Sequence, residues 1–374
     1  MRIVHVSDCY LPRTGGIESQ VSDLAAHQVA AGHEVHVLTA TLGDAGERGG
    51  VVDVVDGVHV HRLGARMPFA LPVTPAGPRL LRAAYRTIVP DVVHVHAGVV
   101  SPFAFDGARI AMAMNLPVAI TWHCMLDGVV GSLRAAARLT GWEHAAAALS
   151  AVSGAAAHRV EEVFEVPVSV VPNGMDLDVW TPTSSPAGAR SGPVHLVSTM
   201  RLAPRKRAVP LLEIVGAAVG RLPSGSVRMT LIGSGPEQRR VEAQLRRSHL
   251  EGVVTLAGRL SRDQIRAAYA EADVFLAPAE LEAFGIAALE ARAAGLAVVA
   301  RRGTGIEEFV RDGVDGLLAV DDRDMTEAVI RLVQDHGLLE GILSHNRAVR
   351  PVFDWDAVLH AAASEYSRAT GLIR

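Results

Sequence analysis

The sequence predicts an α/β protein made of two doubly wound domains, each a mainly parallel sheet covered by helices on both faces. Three observations carry this expectation. Short β-branched runs alternate with Ala/Leu/Arg-rich helical stretches along the chain. The alternation pauses once, at residues 181–193, where Thr, Pro, Ser, Ala and Gly give linker composition, and then restarts. A chain of 374 residues is too long for one ordinary core and comfortable for two, and 49% of it is apolar.

In the first half, residues 3–6, 35–38, 92–95, 118–121 and 168–171 read as strands with helices between them. Residues 17–31 read as a helix with Val21, Leu24 and Val29 on one face, and Gly32 is a natural stop just past its end. Asp56-Gly57, at the centre of residues 51–63, is a hairpin signal. In the second half, residues 194–198, 227–232, 253–256, 274–276, 297–300 and 316–320 form the same kind of series. Residues 355–374 read as a helix, with Val358, Leu359, Ala362 and Tyr366 as its packing face. The expected division is a first domain over 1–180, a linker over 181–193 and a second domain over 194–354. The terminal helix is expected to pack back onto the first domain.

Composition excludes several classes. A net charge of -4 argues against a general nucleic-acid binder. Two cysteines, Cys9 and Cys124, cannot make a disulfide scaffold and fit a reducing compartment. The apolar stretch at the N-terminus is short and broken by His5 and Asp8, unlike a signal peptide. No segment reaches the roughly 18 uninterrupted apolar residues of a spanning helix. The expected location is cytoplasmic, with at most a peripheral attachment to the inner face of a membrane.

Gly15-Gly16 falls between the first strand and the first helix, where a missing Cβ lets a ligand approach and the helix start favours an anion; the pair serves equally as a tight turn. It lacks the full Gly-x-Gly-x-x-Gly pattern of hydride-transfer enzymes. Arg201, Arg205, Lys206 and Arg207 follow the first strand of the second half, at the carboxyl end where α/β folds bind ligands. A diphosphate needs such cations; a solvated basic helix start is the plain alternative. Gly233-Ser234-Gly235-Pro236 is best read as a structural turn. The densest signal runs from Pro278 to Gly295. If a helix starts near Phe284, Glu282 sits in the turn before it and Glu290 about two turns in. The amides of Phe284, Gly285 and Ile286 then become helix-start donors, suited to phosphate or sugar oxygens, and two carboxylates can accept from sugar and ribose hydroxyls.

Glu282 and Glu290, within Glu-Ala-Phe-Gly-Ile and ahead of Ala-Ala-Gly295, resemble the signature of glycosyltransferase family 4, retaining enzymes of the GT-B fold. Other segments are similar in order: Gly15-Gly16-Ile17-Glu18, Asp91-Val-Val-His94-Val-His96, Thr121-Trp122-His123, Val171-Pro-Asn-Gly174-Met-Asp176, Arg201 with Lys206, Gly305-Ile-Glu-Glu308 and Asp312-Gly-Val-Asp-Gly316. The resemblance spans nearly the whole chain. It implies two Rossmann-like domains facing a central cleft, and a metal-independent transfer of a sugar from a nucleoside diphosphate sugar to an acceptor hydroxyl.

The resemblance also implies roles. Arg201 and Lys206 would hold the diphosphate, and Glu290 the ribose hydroxyls. Glu282, with the amides of Phe284, Gly285 and Ile286, would hold the donor sugar. Gly16 would contact phosphate, and His123 would stand near the reacting centre. No cofactor is implied, because the nucleotide sugar is a substrate. His94 and His96 alternate along a strand, so at most one of them is expected to face the cleft; without a carboxylate or cysteine at a ligand spacing they are not read as metal ligands.

The chain departs from the family pattern at Arg207 and Thr304, where glycines are common, and in the basic pair Arg301-Arg302. These put the shape of the diphosphate end in question. The segment Gly258-Arg-Leu-Ser-Arg262 has no acid to read a guanine amine, which favours UDP over GDP. An acceptor is expected on the first domain, where Arg66, Arg79, Arg82, Arg86, Arg109, Arg134 and Arg138 would suit a phosphorylated or lipid-linked acceptor, or would be ordinary solvated helix faces. Two other readings stand beside transfer: a nucleotide-sugar epimerase or hydrolase, which consumes donor without acceptor, and a non-catalytic nucleotide-sugar binder.

Overall fold

The structure is a computed structural model that describes residues 1–13, 15–42, 51–65, 74–142, 145–181 and 192–373. Most of the expected linker, and Arg66, lie outside the described residues. Two compact units make up the chain: residues 1–174 with 353–374, and residues 175–352.

In the first unit the strands are β1 (Arg2–Ser7), β2 (Glu34–Thr39), β3 (Val51–Val55), β4 (Val58–Arg62), β5 (Val92–Ala97), β6 (Val118–Trp122), β7 (Ala148–Ala151) and β8 (Ser169–Val170). Its helices are α1 (Gly16–Ala30), α2 (Gly77–Ile88), α3 (Pro102–Ala113), α4 (Val130–Thr140) and α5 (Gly154–Phe164). The sheet order is β3-β4-β2-β1-β5-β6-β7-β8, parallel except for the β3–β4 hairpin. At the hairpin tip Asp56 and Gly57 take φ of 50° and 79°, as a tight turn matching strand twist requires. Gly32, at φ 87°, ends α1. Strand β7 is absent from the sequence expectation, because Ala-Leu-Ser-Ala carries no β-branched signal; parallel pairing with β6 and β8 defines it, and all four of its residues are buried.

The second unit begins with α6 (Leu177–Trp180) and continues through β9 (Val194–Thr199), α7 (Ala208–Val219), β10 (Val227–Ile232), α8 (Gln238–Arg247), β11 (Val254–Gly258), α9 (Arg262–Ala270), β12 (Val274–Ala277), α10 (Ile286–Ala293), β13 (Ala297–Arg301), β14 (Gly316–Ala319), α11 (Asp322–Gln334) and α12 (His336–Ala348). Its sheet is fully parallel in the order β11-β10-β9-β12-β13-β14. The division between units falls at Gly174/Met175 rather than at 180, because Trp180 is buried with its ring 5.7 Å from that of Tyr269, inside the second unit.

The last helix, α13 (Trp355–Gly371), completes the first unit. It sets Ala362, Tyr366 and Ala369 against Ile3, Val92, Ala119, Ala148 and Val171, and Val358 against Leu24. Its N-terminal Trp355 stacks on His27 at 4.6 Å. A Cβ on Gly174 would lie 2.5 Å from the Trp355 ring, so only glycine fits there. Gly174 is also clamped by Gln20: its N–H donates to Oε1 and its carbonyl accepts from Nε2, both at 2.9 Å. α1 and α13 cover one face of the sheet, and α2 and α3 the other.

In each sheet the winding direction reverses once, between β1 and β5 in the first unit and between β9 and β12 in the second. The crevice at the carboxyl ends of strands beside such a reversal is where open α/β sheets bind ligands.

Candidate functional site

The residues expected to bind donor are divided between the units. Gly15, Gly16 and His123 belong to the first unit; Arg201, Lys206, Phe284, Gly285, Ile286, Glu282 and Glu290 belong to the second.

In the first unit, Gly15 is the extended residue before α1. Neither Gly15 nor Gly16 has positive φ, so backbone strain does not demand glycine at either place. The space a Gly15 Cβ would fill is taken by the Glu18 carboxylate, whose Oε2 comes within 2.3 Å of that position. Glu18 thus folds over the start of α1, where a negative charge is favoured, and pairs with Arg13 at 3.3 Å. Asp8, just after β1, accepts from the amides of Phe103 and Ala104 and ties that strand end to α3.

His123 follows β6 and is partly buried; its N–H donates to the Ala97 carbonyl at 2.9 Å. Its Nε2 lies 3.0 Å from His96 Nδ1. Burial lowers its pKa to about 4, so the ring is neutral at physiological pH. His94 and His96 do not alternate in facing. Two apart on a strand they share one face, and register places His5 of β1 beside His94 on that same face. They differ in depth: His96 reaches His123, whereas His94 bonds Tyr366 and Thr121.

Ring nitrogens of His5, His94 and His96 lie within 4.8 Å of one another, a spacing that could hold a metal ion. All six nitrogens of the trio are already hydrogen-bonded: His5 to Gln28 and His96, His94 to Tyr366 and Thr121, and His96 to His5 and His123. A metal would have to break this set. His5 and Gln28 carry no local sequence signal; only the strand register and the closure of α1 bring them to His96.

In the second unit, Arg201 is exposed just past β9 and makes no ion pair among the described residues. The Gly233–Gly235 turn buttresses it. A Cβ on Gly233 would lie 1.8 Å from the Met200 carbonyl, and one on Gly235 2.4 Å from that of Leu202. Lys206 closes a short 3₁₀ turn, Pro204–Lys206, and its Nζ donates to Glu282 Oε2 at 2.5 Å. The expected diphosphate cation and the expected sugar carboxylate are therefore partners.

The helix expected to start near Phe284 starts at Ile286, because Gly285 takes φ 92°. The first-turn amides are accordingly those of Gly285, Ile286 and Ala287, with Phe284 ahead of them and its ring buried 5.5 Å from Phe309. Gly305 supports this turn from below: its N–H donates to the Glu282 carbonyl at 2.8 Å, and a Cβ there would lie 2.0 Å from the Ala283 carbonyl. Glu290, in α10, is partly buried near Tyr269. Burial first, and then the charge of Glu290, pushes the Tyr269 phenol up.

The departures from the family pattern have structural answers. Arg207 occupies a left-handed position, φ 60° and ψ 40°, the conformation that glycine adopts without strain. Its guanidinium grips Asp322 with two bonds, at 2.9 and 2.8 Å, and reaches Glu280 at 2.9 Å. Arg301 joins the same two acids, and Arg302 pairs with Asp312. These three arginines are neutralised within the protein, as Lys206 is by Glu282, which leaves Arg201 and Arg205 exposed and without ion pairs among the described residues. Thr304 needs no glycine conformation, and its hydroxyl donates to the Arg301 carbonyl. On the first unit, Arg79, Arg82 and Arg86 lie exposed along α2 without ion pairs among the described residues, whereas Arg109, Arg134 and Arg138 are paired with acids.

Residues 14–179 match the family described as Glycosyltransferase Family 4, and residues 193–335 match that described as Glycosyl transferases group 1. The chain is 26% identical to a phosphatidylinositol N-acetylglucosaminyltransferase component of Arabidopsis thaliana, across 99% of this chain and 82% of the relative. It is also 26% identical to the GDP-mannose:cellobiosyl-diphosphopolyprenol alpha-mannosyltransferase of Xanthomonas oryzae, across 100% and 98%. Sucrose-phosphate synthase from Thermosynechococcus elongatus superposes with a TM-score of 0.76 at 19% identity, covering 98% of each chain. Anabaena HepE, solved with UDP and glucose, gives 0.75 at 20%, covering 98% of this chain and 99% of that one. The shared fold is GT-B, two parallel-sheet α/β domains.

Proposed function

The chain belongs to the family 4 glycosyltransferases, and on that basis we propose that it moves a sugar from a nucleoside diphosphate sugar to an acceptor hydroxyl with the anomeric configuration kept. The observation that carries the reading is the Lys206–Glu282 pair beside the start of α10, with Arg201, unpaired among the described residues, at the neighbouring strand end. In the reaction the bond from anomeric carbon to phosphate oxygen breaks, and a bond to the acceptor oxygen forms on the same face. The acceptor proton passes to the departing phosphate. Arg201 and Lys206 stabilise the charge that grows on the leaving group, and the first-turn amides of α10 add fixed dipoles that need no reorganisation. His123 accepts from a hydroxyl near the reacting centre, and Glu290 accepts from the ribose.

UDP is the favoured carrier, since no carboxylate lies between Gly258 and Arg262, and Ser261 there is committed to capping α9. Named relatives use GDP-mannose, so both carriers belong in the test. The acceptor is an anionic, lipid-linked one at a membrane surface, in keeping with relatives named for phosphatidylinositol and diphosphopolyprenol substrates and with the exposed arginines of α2. No described helix is long and apolar enough to cross a membrane.

The test offers α-linked UDP- and GDP-sugars with phosphatidylinositol or polyprenyl diphosphate acceptors, in EDTA, and reads the product anomer by NMR. An α-linked product is expected, undiminished by the chelator because cations of the protein serve the diphosphate. A β-linked product removes the retaining mechanism, and a strict need for added Mg²⁺ or Mn²⁺ removes the metal-independent one. Donor consumed without any acceptor product would favour the hydrolase or epimerase reading.

A further inference from the structure

The hydrogen bonds around His5, His94 and His96 form one unbranched chain whose direction can be read from end to end. Gln28 sits at its middle, on the sheet-facing side of α1. Its Nε2 donates to the Tyr366 hydroxyl at 2.8 Å, and its Oε1 lies 2.7 Å from His5 Nε2. An amide oxygen only accepts, so His5 carries its proton on Nε2 and its Nδ1 must accept. His96 Nε2, 2.9 Å away, is then the donor. That leaves His96 Nδ1 to accept, and His123 Nε2, at 3.0 Å, to donate. On the other arm, Tyr366 donates to His94 Nδ1 at 2.9 Å and His94 Nε2 donates to Thr121 Oγ1 at 2.7 Å. Thr121 then donates to Ser150 at 2.8 Å, and Ser150 to the Ile120 carbonyl at 3.3 Å.

We propose that Gln28, held by Tyr366 of α13, is a positioning residue that fixes His123 in the tautomer with its proton on Nε2 and its lone pair on Nδ1. His123 then meets substrate as an acceptor only, so it selects a hydroxyl hydrogen and rejects a bare oxyanion at that point. The functional half of this rests on the reading of His123 as a substrate-facing group.

Three features carry the assignment. Gln28, His5, His94, His96, Tyr366, Thr121 and Ser150 are all buried, so water does not scramble the chain. The four imidazoles are neutral: burial lowers His5 and His123 to about 4 and puts His94 and His96 well below their ordinary value. Each therefore has one donor and one acceptor, as an unbroken chain requires. Reversing the Gln28 amide would reverse every bond. The reversed chain leaves the Ile120 carbonyl contact unused and points an Nδ1–H of His123 outward with no acceptor among the described residues. The observed direction satisfies every proton.

The experiment is ¹⁵N NMR of the histidine rings in the full, ligand-free chain, with His123→Gln identifying the His123 signals. The expected wild-type spectrum shows one His123 form, protonated at Nε2. Gln28→Met removes both the acceptor and the donor and should shift the Nε2–H to Nδ1–H ratio by about fivefold, the equivalent of about 1 kcal/mol for one hydrogen bond. Tyr366→Phe, a milder change, should shift it in the same direction by freeing the Gln28 amide. A wild-type His123 protonated at Nδ1 overturns the proposal, and so does an unchanged ratio in a folded Gln28→Met or Tyr366→Phe chain. The spectrum is recorded without substrate. A chain that transfers no sugar would leave the tautomer result intact, and a wrong tautomer would leave the transfer reading intact.

Discussion

Glu282→Gln is expected to collapse turnover while leaving nucleoside diphosphate affinity intact or slightly higher. Glu282 holds Lys206 at 2.5 Å with both side chains largely covered. An arriving diphosphate competes with that carboxylate for the ammonium, so removing the charge releases Lys206 to the phosphates. The sugar loses the acceptor proposed to orient it, and misplacement of the anomeric carbon by about 1 Å costs roughly 100-fold in rate. Glu290→Gln should behave the other way round. Its proposed partner is the ribose, present in nucleotide and nucleotide sugar alike. Losing a charged acceptor costs about 1.5–3 kcal/mol, or roughly one to two decades of affinity. Calorimetry with UDP and GDP, beside a turnover assay, separates the two. Equal affinity losses in both variants would show that the roles are wrongly divided, and wild-type turnover in both would place neither carboxylate in the site.

Acidification below pH 6.5 is expected to loosen the first unit before the second. His5 is fully buried and its pKa falls from 6.5 to about 4. The unfolded chain takes up the proton first as pH drops. The stabilising contribution is therefore complete above about 6.5, is lost progressively on the way down, and is gone below about 4. The gap corresponds to about 3 kcal/mol for His5 alone, and the buried His94 and His96 act in the same direction. In the second unit, burial would raise Asp315, but hydrogen bonds from Arg311 and Arg292 overcome it and hold the carboxyl at about 2. That contribution is present above the ordinary carboxylate value and stays intact at pH 5. Urea unfolding read by pulse proteolysis, with fragments assigned to each unit, should show the first unit's midpoint falling between pH 7.5 and 5. Identical midpoints would mean that these histidines are not held neutral by the fold.

Much of the second unit is legible because its expected site residues stand close together in sequence. Arg201 and Lys206 follow one strand, Glu282 and Glu290 bracket one turn, and the glycines that shape those loops stand beside them. The start of α10 falls two residues past the expected one because the helix is entered through Gly285 in a left-handed conformation. The first unit was less legible. His94 and His96 stand out in sequence, but they share one face rather than alternating, and register sets His5 beside them on it. Gln28 and Tyr366 could not be connected to His123 by any spacing rule, since the bonds that join them run between strands and helices far apart in sequence. Arg201, Arg205 and Arg207 stand in one basic run, and Arg301 and Arg302 in another. Pairing separates them, since Arg207, Arg301 and Arg302 each have acids within reach.

The first unit is discontinuous, and this orders its birth on the ribosome. Residues 1–174 are made first, then the whole second unit, and only then the helix that closes the first sheet. At about 5–20 residues per second the wait is on the order of 10–40 s. During it Ile3, Val92, Ala119 and Ala148 lack the cover of Ala362 and Ala369, and Gln28 and His94 lack Tyr366. The domain begun first is thus the last to mature, and it spends that interval with an open apolar face that a holding chaperone could recognise.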